Sequence, residues 1–387
     1  MKNYLLLSLK RKLPLFVILF VIFMIIALIS GVNADFIKII HKEGQDVYYF
    51  YSGDTGSSST LGLLIFLFIM VLILPFFNMN YRYSLSKSDT FRQAGFKEKH
   101  IRYGEHISTL LVTLASFSLA FITLVIIMMI RNQNVVLPEE TEYATYEIIK
   151  LHYIYYLPLY FAIIALAVIQ YFVSYFLISR SNNFLNSLII LFVGQGFLTC
   201  ITAIIGHFFL PYYNMFSFVG STACVAFPIA YLYNQFNPLI VNNVNTLVFG
   251  VDSAIERANL ITFIISSVLF LGVGALGVYT FIYEKDPSSE WANKPGSDKP
   301  HQEIIYHMGF GAMGTIVAMS LIATGDSLIW MILFYFLFSA TYYTMYGLLN
   351  RNFKLKLRET LTLVGVTSLS LIIAIVYFFV YTAQTAA

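Results

Sequence analysis

Nine runs of about eighteen or more apolar residues, none with Asp, Glu, Lys or Arg near its middle, decide what this chain can fold into. They lie at 14–32, 61–78, 106–130, 153–178, 185–208, 259–283, 307–324, 326–348 and 361–381. Such a run satisfies its own backbone only as a helix when the surrounding solvent is hydrocarbon. The expectation is therefore an all-α, polytopic membrane protein. Composition agrees: 58% of the 387 residues are hydrophobic and 11% charged, against about a quarter charged in a soluble domain. The net charge of +3 is too small to suggest nucleic acid.

The first run is read as a retained helix. Lys2, Lys10, Arg11 and Lys12 precede it, and Val32-Asn33-Ala34 resembles a cleavage site. The run is nevertheless longer than the core of a secretory signal, about 7–15 residues. Leu5, Leu6 and Leu9 among the basic residues suit a helix lying on the cytoplasmic interface.

A tenth stretch, 212–234, is apolar but interrupted by Gly220 and Pro228. If it dips in and returns to the outer side, 18 of the 23 Lys and Arg fall inside with the N-terminus. Full crossing gives 12 inside against 11 outside. Crossing by 212–234 with 307–324 left on one side gives 16 against 7. Cytoplasmic loops collect Lys and Arg, so the expectation is nine spans, a re-entrant hairpin on the outer side, N-terminus inside and C-terminus outside. A re-entrant backbone must sit against other helices or line a wet cavity.

Chemistry-bearing residues are sparse. Gln170 and Gln195 are the notable polar side chains inside spans, suited to interhelical hydrogen bonds or to lining a substrate path. The histidines (His41, His100, His106, His152, His207, His301, His307) show no metal-type pairing, and no phosphate-cradling Gly-x-x-x-x-Gly-Lys-Ser/Thr occurs. Cys200 and Cys224 read as small core residues. Catalytic residues and a metal site are not expected on this chain. The midplane lacks the charges of an ion-coupled carrier. Tyr48, Tyr49, Phe50 and Tyr51, in the outer connection 33–60, suit either a guard over an exit or an aromatic belt.

The 79–105 loop is cytoplasmic in all three arrangements. Ser86 or Ser88 can cap a short helix with Asp89 in its first turn, and Gly95 can end it. Phe91 and Phe96 are apolar residues outside any span, flanked by Lys87, Arg92 and Lys97, with Glu98 following. They read either as interfacial aromatics or as the face of a helix that docks into a cytoplasmic partner.

On three features the chain resembles the permease subunits of ATP-binding-cassette exporters of the second exporter class, also called type V, in the Gram-positive branch serving peptide, antibiotic and cell-envelope transport. Ser88-Asp89-Thr90-Phe91-Arg92-Gln93-Ala94-Gly95-Phe96 sits where that branch has a Ser-Asp-Leu-Tyr-His-Ser-Leu-Pro-Ile coupling segment. Residues 159–208, with the turn Ser181-Asn182-Asn183, are similar to its fourth and fifth helices. Tyr283 to Asn293, carrying Glu290 and Ala292, resembles a cytoplasmic Tyr-x-x-Arg-x-x-Glu-x-Ala-Gly motif, with Asp286 at the Arg position, one extra residue of spacing and Asn293 for Gly. Ala94-Gly95 replaces Leu-Pro of the coupling turn, and Glu98 stands at the Arg that follows it.

The resemblance implies a six-helix core over 1–283 with a coupling helix near 86–99, a cytoplasmic loop 284–306, and an additional three-helix segment 307–387. It implies a dimer of ATPase subunits as partner, with ATP and Mg bound there, no cofactor on this chain, and a second permease chain, identical or homologous. The cargo expected is amphipathic: a peptide such as an antimicrobial peptide, an antibiotic or a lipid-linked molecule. Placement in the cytoplasmic membrane follows, and many Phe, Tyr, Ile, Asn and Lys suggest an AT-rich genome of a Gram-positive or related low-GC bacterium. Two other classes stay open: a secondary carrier, and a membrane-bound scaffold or enzyme.

Overall fold

The computed structural model describes residues 2–34, 36–43, 46–51, 58–79, 98–136, 144–148, 151–181, 183–209, 253–283, 301–323, 328–350, 352–354 and 356–385. Its helices are α1 (Lys2–Arg11), α2 (Leu13–Asn33), α3 (Ser58–Asn78), α4 (Glu98–Gln133), α5 (Tyr156–Ile178), α6 (Phe184–Phe209), α7 (Ser253–Tyr283), α8 (His301–Ala323), α9 (Leu328–Asn350) and α10 (Leu357–Thr385). Each of the nine apolar runs falls in one of the helices α2–α10, apart from residues at the edges of three. Five described segments are long and apolar enough to cross a bilayer: Leu13–Asn33, Lys99–Gln133, Tyr153–Ile178, Phe184–Ile201 and Leu357–Tyr377. The 21 residues of α2 rise about 32 Å, the thickness of a hydrocarbon core. The chain is a multi-pass membrane protein.

The helix ends carry local signals. Pro14 occupies the first turn of α2, where its missing N–H costs nothing. The side chain of Asn183 accepts the Leu185 N–H at the start of α6 (3.1 Å). The Glu359 carboxylate accepts the Lys356 N–H ahead of α10 (2.8 Å).

Two compact units divide the chain. Among the described residues, the first holds those within 2–72 and 99–168, and the second those within 73–79, 98, 169–209 and 253–385. In the first, α2 and α4 run parallel. Ser116 reaches the Phe16 carbonyl, Phe23 meets Phe117 edge-on at 5.9 Å, and Gly31 lies against Ile127. The α3 segment runs opposite to α2, with Phe66 on Phe23 at 4.9 Å and Gly62 near Ile26. The first half of α5 runs opposite to α4, since Tyr160 stacks on Phe117 and Tyr156 bonds the Met128 sulfur. Lipid tails are as apolar as these side chains, so close packing and hydrogen bonds, not the hydrophobic effect, hold such helices together. The outward side of α2 (Val17, Ile18, Val21, Ile25, Ile29) is exposed and wholly apolar.

Three strands extend the all-α expectation. β1 (Ile37–Glu43), β2 (Asp46–Tyr51) and β3 (Ala144–Ile148) form an antiparallel sheet in the order β2-β1-β3. β1 pairs with β3 from Ile37↔Ile148 to His41↔Ala144. The connection that contains Tyr48–Tyr51 thus joins the one between α4 and α5.

In the second unit α5 and α6 are antiparallel through a tight turn, with Leu177 beside Gly194. α7 returns parallel to α5: Ile169 faces Gly274, Phe172 faces Gly277, and Tyr175 meets Phe281. Phe209 and Ser253 therefore lie at the same end of this unit. α8 runs parallel to α6, with Val193 at Gly309 and Met313 at Gly196. α10 runs parallel to α8, with Val366 at Gly311 and the Ser370 hydroxyl bonded to the Gly311 carbonyl at 3.0 Å. α9 runs opposite to α8, pairing Tyr306 with Tyr342 and Tyr346, and Phe310 with Phe338. Ala318, Met319, Ala374 and Tyr377 form a buried cluster against Ile204 and Tyr335, so the additional three helices share a core with α6.

Candidate functional site

The sequence places its main functional expectation in the 79–105 loop, on a short helix near 86–99. Lys87, Asp89, Phe91, Arg92, Phe96 and Lys97 lie outside the described residues, and Glu98 opens α4. What the structure does describe is how the helices on either side of that segment are held.

On the α4 side the centre is Glu105, two turns into the helix. Its Oε1 accepts the Tyr4 hydroxyl at 3.0 Å and the Ser8 hydroxyl at 3.4 Å, and its Oε2 lies 3.1 Å from Lys12 Nζ. Ser8 and Ser108 share a further hydrogen bond of 2.8 Å. Tyr4, Ser8 and Lys12 recur every fourth residue, which puts them on one stripe of helix facing α4. Gly104 makes the approach possible, because a Cβ there would overlap the Tyr4 ring. Burial, followed by the Glu105 charge and its hydrogen bond, pushes the Tyr4 hydroxyl far above the ordinary phenol range, against a smaller opposing effect of Arg11. Tyr4 therefore stays a donor.

Helical hydrogen bonds continue through the junction of α1 with α2, from Lys12 N to the Ser8 carbonyl and from Phe16 N to the Lys12 carbonyl. The Tyr4, Ser8 and Lys12 stripe packs on α4, and Leu6 and Leu7 lie exposed on the other side of α1.

On the α3 side, Asn78 Nδ2 donates to the Tyr171 hydroxyl at 3.0 Å, with both residues buried. The Phe76 ring lies 4.5 Å from that of Phe184, the first residue of α6. The last turn of α3 is thereby fixed to α5 and α6.

A third clasp joins the α5–α6 turn to the end of α7. The buried Arg180 guanidinium donates to Ser179 Oγ (3.1 Å) and Thr280 Oγ1 (3.2 Å) and lies 4.7 Å from the Phe176 ring centroid. One turn beyond Thr280, Tyr283 ends α7 exposed, its ring 5.1 Å from Tyr279. Glu290 and Ala292 lie outside the described residues.

Gln170 and Gln195 are both buried. Gln170 donates to Ser174 Oγ (3.2 Å) on its own helix, and its Oε1 has no hydrogen-bond partner among the described residues. The same holds for Gln195 Nε2. The Leu177–Gly194 contact fixes the antiparallel register of α5 and α6. Gln170 is seven residues from Leu177 and Gln195 one from Gly194, so the two amides sit about 9 Å apart along the helix axes.

Among the described residues no group of three or more His, Cys, Asp or Glu could hold a metal ion. The sequence reading passed over Glu105, Tyr4, Ser8 and Asn78. The signal for the first three was the four-residue spacing of Tyr4, Ser8 and Lys12 opposite a carboxylate at the edge of an apolar run. In comparisons with known proteins, no family model, no curated protein and no solved structure matches the chain.

Proposed function

We propose that this chain is the membrane-embedded permease of an ATP-driven exporter, worked by a separate ATPase dimer that binds ATP and Mg. The observation that carries this reading is the fixing of both flanks of the 79–97 segment. Asn78 is bonded to Tyr171 on one side, and Glu105 gathers Tyr4, Ser8 and Lys12 on the other. A push on Phe91, Arg92 and Phe96 would then be delivered to the helices instead of being absorbed at loose loop ends. A nucleotide-driven partner needs such a connection to bias two states of its permease.

The direction of α7 supports the arrangement in which 212–234 returns to the side it entered, since α6 ends and α7 begins at one end of their unit. With the basic N-terminus inside, this gives nine spans and an outer C-terminus. The cytoplasmic membrane of a Gram-positive or related bacterium is the proposed location, with a second permease chain completing the assembly. The cargo class that suits an aromatic-rich membrane path is amphipathic: a peptide, an antibiotic or a lipid-linked molecule.

The test is co-purification with the ATPase encoded beside the gene, for the natural chain and for a Phe91→Asp, Phe96→Asp double variant. A stable complex whose ATP hydrolysis is uncoupled or lost in the variant supports the reading. Absence of any associated ATPase, with the variant indistinguishable from the natural chain, overturns it.

A further inference from the structure

Unit 1 has a second clasp at the far end of α4. This helix is 36 residues long, about 54 Å, with Gly104 its single glycine and no proline to kink it. At its last turn, Arg131 Nη1 donates to the Gly31 carbonyl (3.1 Å) and to that of Val32. These carbonyls end α2 and lack intrahelical partners. The neighbouring Asn132 Nδ2 donates to the Tyr153 hydroxyl (3.1 Å), just before α5.

The sheet is rooted in the same three helices. β1 begins shortly after α2 ends, β3 lies between α4 and α5, and the two strands pair over five residue positions. Moving α4 relative to β1 and β3 would require breaking the Arg131 bonds, the Asn132 bond or the strand ladder.

We propose that α4 acts as a transmission rod and that the sheet is the outer element it moves. A displacement at the start of α4, where Glu105 ties it to α1, passes along the helix and reaches β1 and β3 through the Arg131 bonds to the end of α2. This inference rests on the permease reading for the source of the displacement, but the mechanical link belongs to unit 1 alone.

The test is amide hydrogen exchange at 37–41 and 144–148 in the full chain, in lipid nanodiscs with its ATPase, nucleotide-free and with vanadate-trapped nucleotide. Trapping is expected to change sheet exchange by about threefold or more. Arg131→Ala should weaken that change at least twofold while leaving nucleotide-free sheet protection and ATP hydrolysis near their original values. Asn186→Ala, which removes a bond to the Leu349 carbonyl in unit 2, controls for general loosening and should leave the change intact. Sheet exchange that ignores nucleotide while hydrolysis stays coupled to the permease overturns the rod and spares the permease reading. An Arg131→Ala chain responding like the natural one also overturns it.

If no ATPase associates, the permease reading fails and the rod is judged on the chain alone. Glu105→Ala should then raise exchange in the sheet severalfold when Arg131 is present and less in an Arg131→Ala background, and Asn186→Ala should not raise it. Unchanged sheet exchange in Glu105→Ala overturns the inference.

Discussion

Lys12, at the junction of α1 and α2, holds its ammonium 3.1 Å from the Glu105 carboxylate of α4, and both side chains are largely buried. Removing one member leaves the other charge without its counterion in a poorly solvated place, and truncations of this kind cost several kcal/mol. Glu105→Ala is expected to destabilise the chain by about 2–4 kcal/mol, because Tyr4 and Ser8 lose their acceptor as well. Lys12→Ala should cost less, since the two hydroxyls still reach Glu105. Unfolding in detergent of both variants and of the double variant measures the coupling. Strictly additive losses would show that the pair contributes nothing of its own.

Two glycines on α7 make a contrast within one helix. A Cβ at Gly277 would overlap the Phe172 carbonyl oxygen, whereas one at Gly272 meets nothing within 4 Å. Gly277→Ala should force α5 and α7 apart and destabilise by about 1–3 kcal/mol, the usual range for overpacking. Gly272→Ala should be neutral or slightly stabilising, by up to about 1 kcal/mol from helix propensity. Thermal unfolding of the two variants side by side checks this, and equal effects would contradict the packing described.

The helices were legible because a bilayer leaves a long apolar run no other way to satisfy its backbone. The sheet was not. Val47, Tyr48, Tyr49 and Phe50 are good strand formers, but β1 also pairs with a strand far along the chain, in another connection, and no local pattern announces it. Glu105 was missed for a different reason: the apolar run begins at His106, so a search for charges inside spans stops one residue short. The leucines of α1 pointed toward lipid, while its polar stripe of Tyr4, Ser8 and Lys12 carried the structural information.

Membrane direction gives a labelling prediction. With Cys200 and Cys224 replaced by serine, Lys354→Cys should react with an impermeant maleimide only in opened cells, and Asn134→Cys should react in intact ones. Asn134 follows α4 and Lys354 lies between α9 and α10. Labelling of Lys354→Cys from outside would mean that the chain between α6 and α9 crosses a different number of times from that proposed.

The packing of α8 on α9 supplies the last prediction. Tyr306 is fully buried and its hydroxyl donates to the Tyr342 carbonyl at 2.6 Å, while its ring packs on Phe310, Tyr342 and Tyr346. The Tyr342 hydroxyl in turn lies 2.5 Å from His307 Nδ1. Tyr306→Phe keeps the ring and loses one hydrogen bond, leaving a buried carbonyl with one fewer donor, for a loss of about 1 kcal/mol. Tyr306→Ala removes the ring from the middle of the cluster, and a cavity of that kind costs about 3–5 kcal/mol. Limited proteolysis in the 351–356 connection, which follows the end of α9 nearest the cluster, reads both variants alongside unfolding in detergent. The phenylalanine variant should resist cleavage like the natural chain, and the alanine variant should be cut faster. If the two behave alike, the cluster is held by its hydrogen bond and not by its rings.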